Sequence, residues 1–269
     1  MKRSIPILLY HHVSPDRDIT PDVFESQLRA LLAQGYRSLS LEDVLRVIAG
    51  RSPANQRGFV VTFDDGYLDN WVYAFPILKK LNVKATIYVV TSYIERQTRP
   101  REDVLTLDTR TQEREIGQFL SWGEAREMLA SGLVTFGSHT HTHRGWIRTR
   151  PYLDVKQELV QSKALVEAEL RQPCHHIAWP WGEYEEAWWP ILIRLGFRSA
   201  ATVRSGANTN GINPFELQRI KVVHPSPQWL LSRIQWHSSA RKAKWFGTFY
   251  GLDQRFKQWL KPESPYSHG

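Results

Sequence analysis

Seven short apolar runs, interleaved with stretches of helical spacing, constrain this chain more than any other feature. The runs are Ile5–Tyr10, Phe59–Phe63, Ala85–Val90, Leu133–Phe136, His176–Trp179, Ala200–Val203 and Lys221–Val223. Each is short enough to be a buried strand. Between them, Phe24, Leu28, Leu31 and Leu32 share one helical face, with Gly35 placed to end it. Further helices are expected over Leu41–Ile48, Trp71–Leu81, Trp122–Leu129, Tyr152–Leu170 and Glu185–Leu195, with Ser121 as an N-cap. Strand following helix in this way predicts a parallel sheet with crossover helices. The 269 residues suit a barrel, which needs about 250. No glycine-rich phosphate loop follows a strand, which weighs against an open nucleotide-binding sheet. Glu95–Gln118 is charged and poor in apolar residues, and reads as an insertion over one barrel face.

The barrel is expected over residues 1–224. Residues 225–269 then hold a last helix, Trp229–Trp236, and a basic, aromatic-rich extension. From Pro225 onward seven Lys/Arg face only Asp253 and Glu263, a net of +5 out of +8 for the whole chain. Trp and Phe interleaved with those cations suit peripheral contact with an anionic membrane, and no nucleic-acid partner is expected. No run of about 18 apolar residues predicts a spanning helix. The apolar run behind Met1-Lys-Arg-Ser is too short for a signal sequence. The expected location is therefore cytoplasmic and peripheral to the inner membrane, unless a leader has been removed. The lone Cys174 excludes an intrachain disulfide and a cysteine-rich zinc module.

Polar residues gather at the ends of the apolar runs, which in a parallel barrel share one rim. Asp64 and Asp65 follow the second run, and their adjacent carboxylates need compensation that a divalent cation supplies. Neighbours on a strand point oppositely, so one can bind a metal while the other faces substrate. His139, His141 and His143 follow the fourth run. His139 and His143 are spaced to share one face of a turn, with His141 directed elsewhere. One Asp with two His is a three-ligand set that leaves positions open for water and substrate.

These stretches resemble the NodB-type polysaccharide deacetylase family. The resemblance rests on Leu9-Tyr10-His11-His12-Val13, Thr62-Phe63-Asp64-Asp65-Gly66-Tyr67, Gly137-Ser138-His139-Thr140-His141-Thr142-His143, Ala178-Trp179-Pro180-Trp181-Gly182 and Leu217-Gln218-Arg219-Ile220, in family order. It implies a distorted (β/α)7 barrel and a hydrolase that removes N-acetyl groups from a sugar in a polysaccharide, oligosaccharide or lipid-linked glycan. By position it implies Asp64 as general base. Asp65, His139 and His143 would hold one divalent metal ion: Zn2+ first, with Co2+, Ni2+ or Fe2+ also suited to this donor set. The backbone N–H of Trp181 would help hold the oxyanion.

Two departures from the family pattern bear on the chemistry. Where many members carry an arginine against the base, this chain has Ala178, and Arg219 is the substitute expected from a late position. The general acid is expected to be His11, as in the subgroup with an N-terminal Tyr-His-His, followed by His224 and then His12. Tyr67, Trp122, Trp146 and Trp181 are the aromatic candidates for sugar contact, whereas Trp71, Trp188 and Trp189 are expected in the core. The competing reading is a catalytically inert carbohydrate-binding module on the same barrel. A metal phosphoesterase is disfavoured because no second carboxylate cluster is present in the sequence.

Overall fold

The computed structural model describes residues 4–52, 57–96, 119–146 and 154–239. Its strands are β1 (Ile7–Tyr10), β2 (Arg37–Ser38), β3 (Gly58–Phe63), β4 (Ala85–Val89), β5 (Val134–Ser138), β6 (His176–Ala178), β7 (Ser199–Ala201) and β8 (Ile220–Lys221). Seven of them form one parallel path in the order β7-β6-β5-β4-β3-β1-β8, and the two-residue β2 adds to β3 from the side. The ends of that path meet. β8 pairs with β1 through Leu8 and Ile220, while Leu217, three residues earlier, bridges to Ala201 of β7. A (β/α)7 barrel results. All seven expected strands are present, whereas β2 is too short to stand out as an apolar run.

The helices are α1 (Pro21–Ala33), α2 (Leu41–Ile48), α3 (Phe75–Leu81), α4 (Trp122–Ala130), α5 (Val155–Leu170), α6 (Trp189–Arg194) and α7 (Pro227–His237). Side chains on the helix ends fix the boundaries. Ser40 with Asp43, and Ser121 with Glu124, form reciprocal capping boxes that satisfy N–H groups the first turn leaves free. The helix expected over Trp71–Leu81 opens as a π-helical turn, Asn70–Ala74, before becoming α-helical. The one expected over Glu185–Leu195 splits into a 3-10 turn, Glu186–Trp188, and α6, with Pro190 in the first turn of α6.

Strand alternation divides the core in two. Leu8, Tyr10, Phe59, Val61, Phe63, Ile87 and Val89 face the helices. Ile7, Val60, Tyr88, Ala178 and Ala201 face inward and pack with Leu41, Val44, Val47 and Ile48 of α2. One end of the barrel is thereby filled with apolar side chains, which leaves the carboxyl ends of the strands to carry chemistry. Most of the inserted segment and most of the basic extension (97–118 and 240–269) lie outside the described residues. The insertion leaves and rejoins the barrel at one point, because Glu95 bridges to Ser121 and Tyr67 to Phe119. Among the described residues, no helix is long and apolar enough to cross a membrane.

Candidate active site

Asp64 and Asp65 leave the carboxyl end of β3 in different directions. The Asp64 N–H donates to the Tyr10 carbonyl (3.1 Å), continuing the pairing with β1. Asp65 (φ 72°) and Gly66 (φ 78°) then turn through the left-handed region. A Cβ at Gly66 would lie 2.9 Å from Val89 Cγ1, so both the conformation and the space require glycine. Asp64 is buried and bound in fork geometry by Arg219, whose Nη1 and Nη2 donate to Oδ1 (2.6 Å) and Oδ2 (2.8 Å). The guanidinium is itself buried and held by Nε donating to the Thr202 carbonyl (2.8 Å).

Asp65 faces the histidines. The His139 N–H donates to the Val89 carbonyl (2.8 Å), which extends β5 along β4. Thr140 (φ 65°) and His143 (φ 59°) then curl the chain back. His139 Nε2 lies 3.3 Å and His143 Nε2 3.2 Å from Asp65 Oδ1. His141 is turned away, its Nδ1 2.9 Å from the Thr91 hydroxyl. Among the described residues six non-glycines have positive φ, and four of them (Asp65, Thr140, His143 and Trp181) gather here. Such conformations are costly and persist where the surroundings enforce them.

The donor set fits a divalent metal ion. His139 Nδ1 lies 2.8 Å from the Ala178 carbonyl, which can only accept, so Nδ1 carries a proton and Nε2 is the nitrogen turned to Asp65. Asp65 Oδ1 is buried and receives no hydrogen bond. The ligand atoms of Asp65, His139 and His143 all lie within 4.8 Å of one another. A carboxylate oxygen and two imidazole nitrogens converging on one point form a donor set suited to a divalent cation.

The buried carboxylates and imidazoles act on one another. Burial would raise the Asp64 carboxyl, but the Arg219 guanidinium and His139 outweigh it and hold Asp64 below the usual carboxylate range. Asp65 is likewise depressed, because its imidazole neighbours outweigh burial. Burial also acts to lower His139, yet Asp64 and Asp65 win and raise it above an ordinary histidine. His11, beyond β1, feels Asp64, Asp65, Arg219 and Lys221, and burial dominates to lower it.

Residues 51–200 match the model of a family described as polysaccharide deacetylase. The chain belongs to the polysaccharide deacetylase family. This deacetylase is 26% identical over 220 residues to YxkH of Bacillus subtilis (strain 168), covering 81% of this chain and 71% of the relative. It is 24% identical over 225 residues to the poly-beta-1,6-N-acetyl-D-glucosamine N-deacetylase of Staphylococcus aureus (strain MSSA476), covering 80% of this chain and 71% of that protein. Among solved structures it resembles the Streptococcus pyogenes deacetylase PplD in complex with acetate. There the TM-score is 0.71 at 28% identity, over 87% of this chain and 99% of that one.

The deacetylase brings Asp64, Asp65, His139, His143 and Arg219 together. Tyr67, expected to touch sugar, is instead buried (7% exposed) and stacked between His12 (3.7 Å) and Phe119 (5.2 Å). His224 has its own local partners. The chain turns just past β8, so His224 stacks on Trp229 and its Nδ1 accepts the Ser226 N–H at the start of α7. Trp122 is buried at the start of α4. Trp146 lines a cleft beside the ligands with Arg144, Trp179, Glu183 and Trp188. Trp181 is 53% exposed, its ring 5.4 Å from that of His143. Sequence reasoning missed Asp69 and the Ala178 carbonyl. Asp69 Oδ2 lies 2.6 Å from His12 Nδ1, which engages His12 apart from the Asp65 cluster. Neither partner has a signature, since each works through a fold contact between distant segments.

Proposed function

We infer that this deacetylase hydrolyses the N-acetyl amide of amino sugars in a glycan, using one divalent ion, zinc first, held by Asp65, His139 and His143. The observation that carries the reading is the convergence of Asp65 Oδ1, buried and without a hydrogen-bond donor, with one ligand nitrogen each from His139 and His143. A bound divalent ion supplies Lewis acidity, which makes water a nucleophile near neutral pH and polarises a carbonyl.

The chain supplies the rest. Asp64, kept ionised by Arg219, takes a proton from the attacking water. The Trp181 N–H lies in the tight turn at the rim and serves the developing oxyanion. His11, which neighbours Asp64 and Asp65 at the end of β1, gives a proton to the departing amine. The exposed Trp181 ring, with the exposed Val203 near Gly182, offers an apolar face for a sugar ring.

His11→Ala is expected to lower kcat by about 10²–10⁴-fold with zinc content unchanged. His224→Ala should leave kcat unaltered, because His224 is committed to α7. Loss of turnover in the second variant alone would reverse the assignment. The Staphylococcus aureus relative points to a first substrate, β-1,6-linked N-acetylglucosamine oligosaccharides, with β-1,4-linked ones for comparison. Zinc-loaded protein should release acetate from one of them, stop on chelation and recover with zinc. No release from any N-acetylated glycan would sink the reading.

A further inference from the structure

The histidine loop is gripped from outside the cation site by one acidic side chain. Glu158, in the first turn of α5, is 9% exposed. Its Oε2 accepts the N–H groups of His141 (2.9 Å) and Thr142 (2.8 Å), and its Oε1 accepts the Thr142 hydroxyl (2.8 Å). Two successive N–H groups aimed at one carboxylate oxygen make a charge-assisted anion cradle. From the opposite flank, the Ser92 N–H donates to the His141 carbonyl (2.9 Å) and the Tyr93 hydroxyl to the Thr142 carbonyl (3.3 Å).

The clamped residues are the two just before His143. His139 is oriented independently, by strand pairing through its N–H and by the Ala178 carbonyl. His143 lies beyond the strand, in a left-handed conformation, so its approach to Asp65 follows from where the loop is held. We propose that Glu158 is a positioning residue for the metal site: its carboxylate locks the 141–142 peptide groups so that His143 Nε2 meets Asp65 opposite His139. This rests on the metal reading above.

The test compares wild type, Glu158→Ala, Glu158→Gln and His139→Ala. Zinc affinity is measured by competition with a chromophoric chelator, and thermal unfolding is followed in EDTA. Partners that orient ligands from behind are typically worth 10–100-fold in metal affinity. Glu158→Ala should weaken zinc by about that factor while unfolding in EDTA stays cooperative. Glu158→Gln keeps the volume but loses the charge, and should weaken zinc roughly tenfold. It carries the test if the alanine variant does not fold. Zinc affinity within about twofold of wild type in the glutamine variant overturns the proposal, even if unfolding in EDTA shifts. A wild type that holds no zinc overturns the metal reading and this inference together. Zinc held by wild type and lost in His139→Ala, with the Glu158 variants unaffected, overturns this inference alone.

Discussion

Exchange of His139 for alanine is expected to reduce bound zinc from about one ion per chain to none and to abolish acetate release. His139 contributes more than one of three donors. Its ring is buried, its Nδ1 is committed to the Ala178 carbonyl, and its Nε2 lies 3.3 Å from Asp65 and 3.9 Å from Asp64. Without it, one carboxylate and one imidazole remain, too few for the tetrahedral N/O sets that hold zinc tightly. Two buried carboxylates would also lose a neighbour that keeps both ionised. Elemental analysis after zinc loading and dialysis, alongside acetate release, checks both halves. Zinc retained in His139→Ala would place the ion elsewhere. A wild type without zinc would favour the inert carbohydrate-binding module.

The parts that could be read from the sequence are those with local causes. The seven strands were legible because buried parallel strands are short continuous apolar runs. The Asp64-Asp65-Gly66 and His139-to-His143 clusters were legible because strand ends converge on one rim. What could not be read depends on contacts between distant segments. Whether Tyr67 faces sugar or packs on His12 is decided by the left-handed turn at Asp65 and Gly66. Whether His224 reaches the rim is decided by how sharply the chain enters α7. The Glu158 clamp joins α5 to a loop some sixteen residues earlier, and nothing in either segment announces it. Arg219 lies between these cases. A missing charge at Ala178 called for a substitute, and the closure of β8 on β1 brings a guanidinium 155 positions along the chain onto Asp64.

That pairing sets up the second large effect. Arg219→Ala should destabilise the protein by about 3–5 kcal/mol, because it strands a buried carboxylate. It should also move the acid limb of kcat/KM to higher pH. The sign follows from the forces on Asp64. Burial pushes its carboxyl upward, and the guanidinium is the leading force holding it down. With the guanidinium gone, Asp64 stays protonated to higher pH and is lost as a base over that range. Asp64→Asn separates the two consequences. It removes the base outright, with an expected fall of roughly 10²–10⁴-fold in kcat at every pH, while zinc stays bound because Asp65 and both histidines are intact. Arg219→Lys restores a charge but not the fork, and should recover part of the stability and part of the shift. Urea unfolding of all three variants, with kcat/KM from pH 5 to 9, gives the answer. A displaced acid limb in Arg219→Ala that returns toward wild type in Arg219→Lys would identify Arg219 as the residue that keeps Asp64 charged. An unmoved limb alongside lost stability would reduce Arg219 to a structural ion pair, and the base would have to be sought elsewhere on the rim.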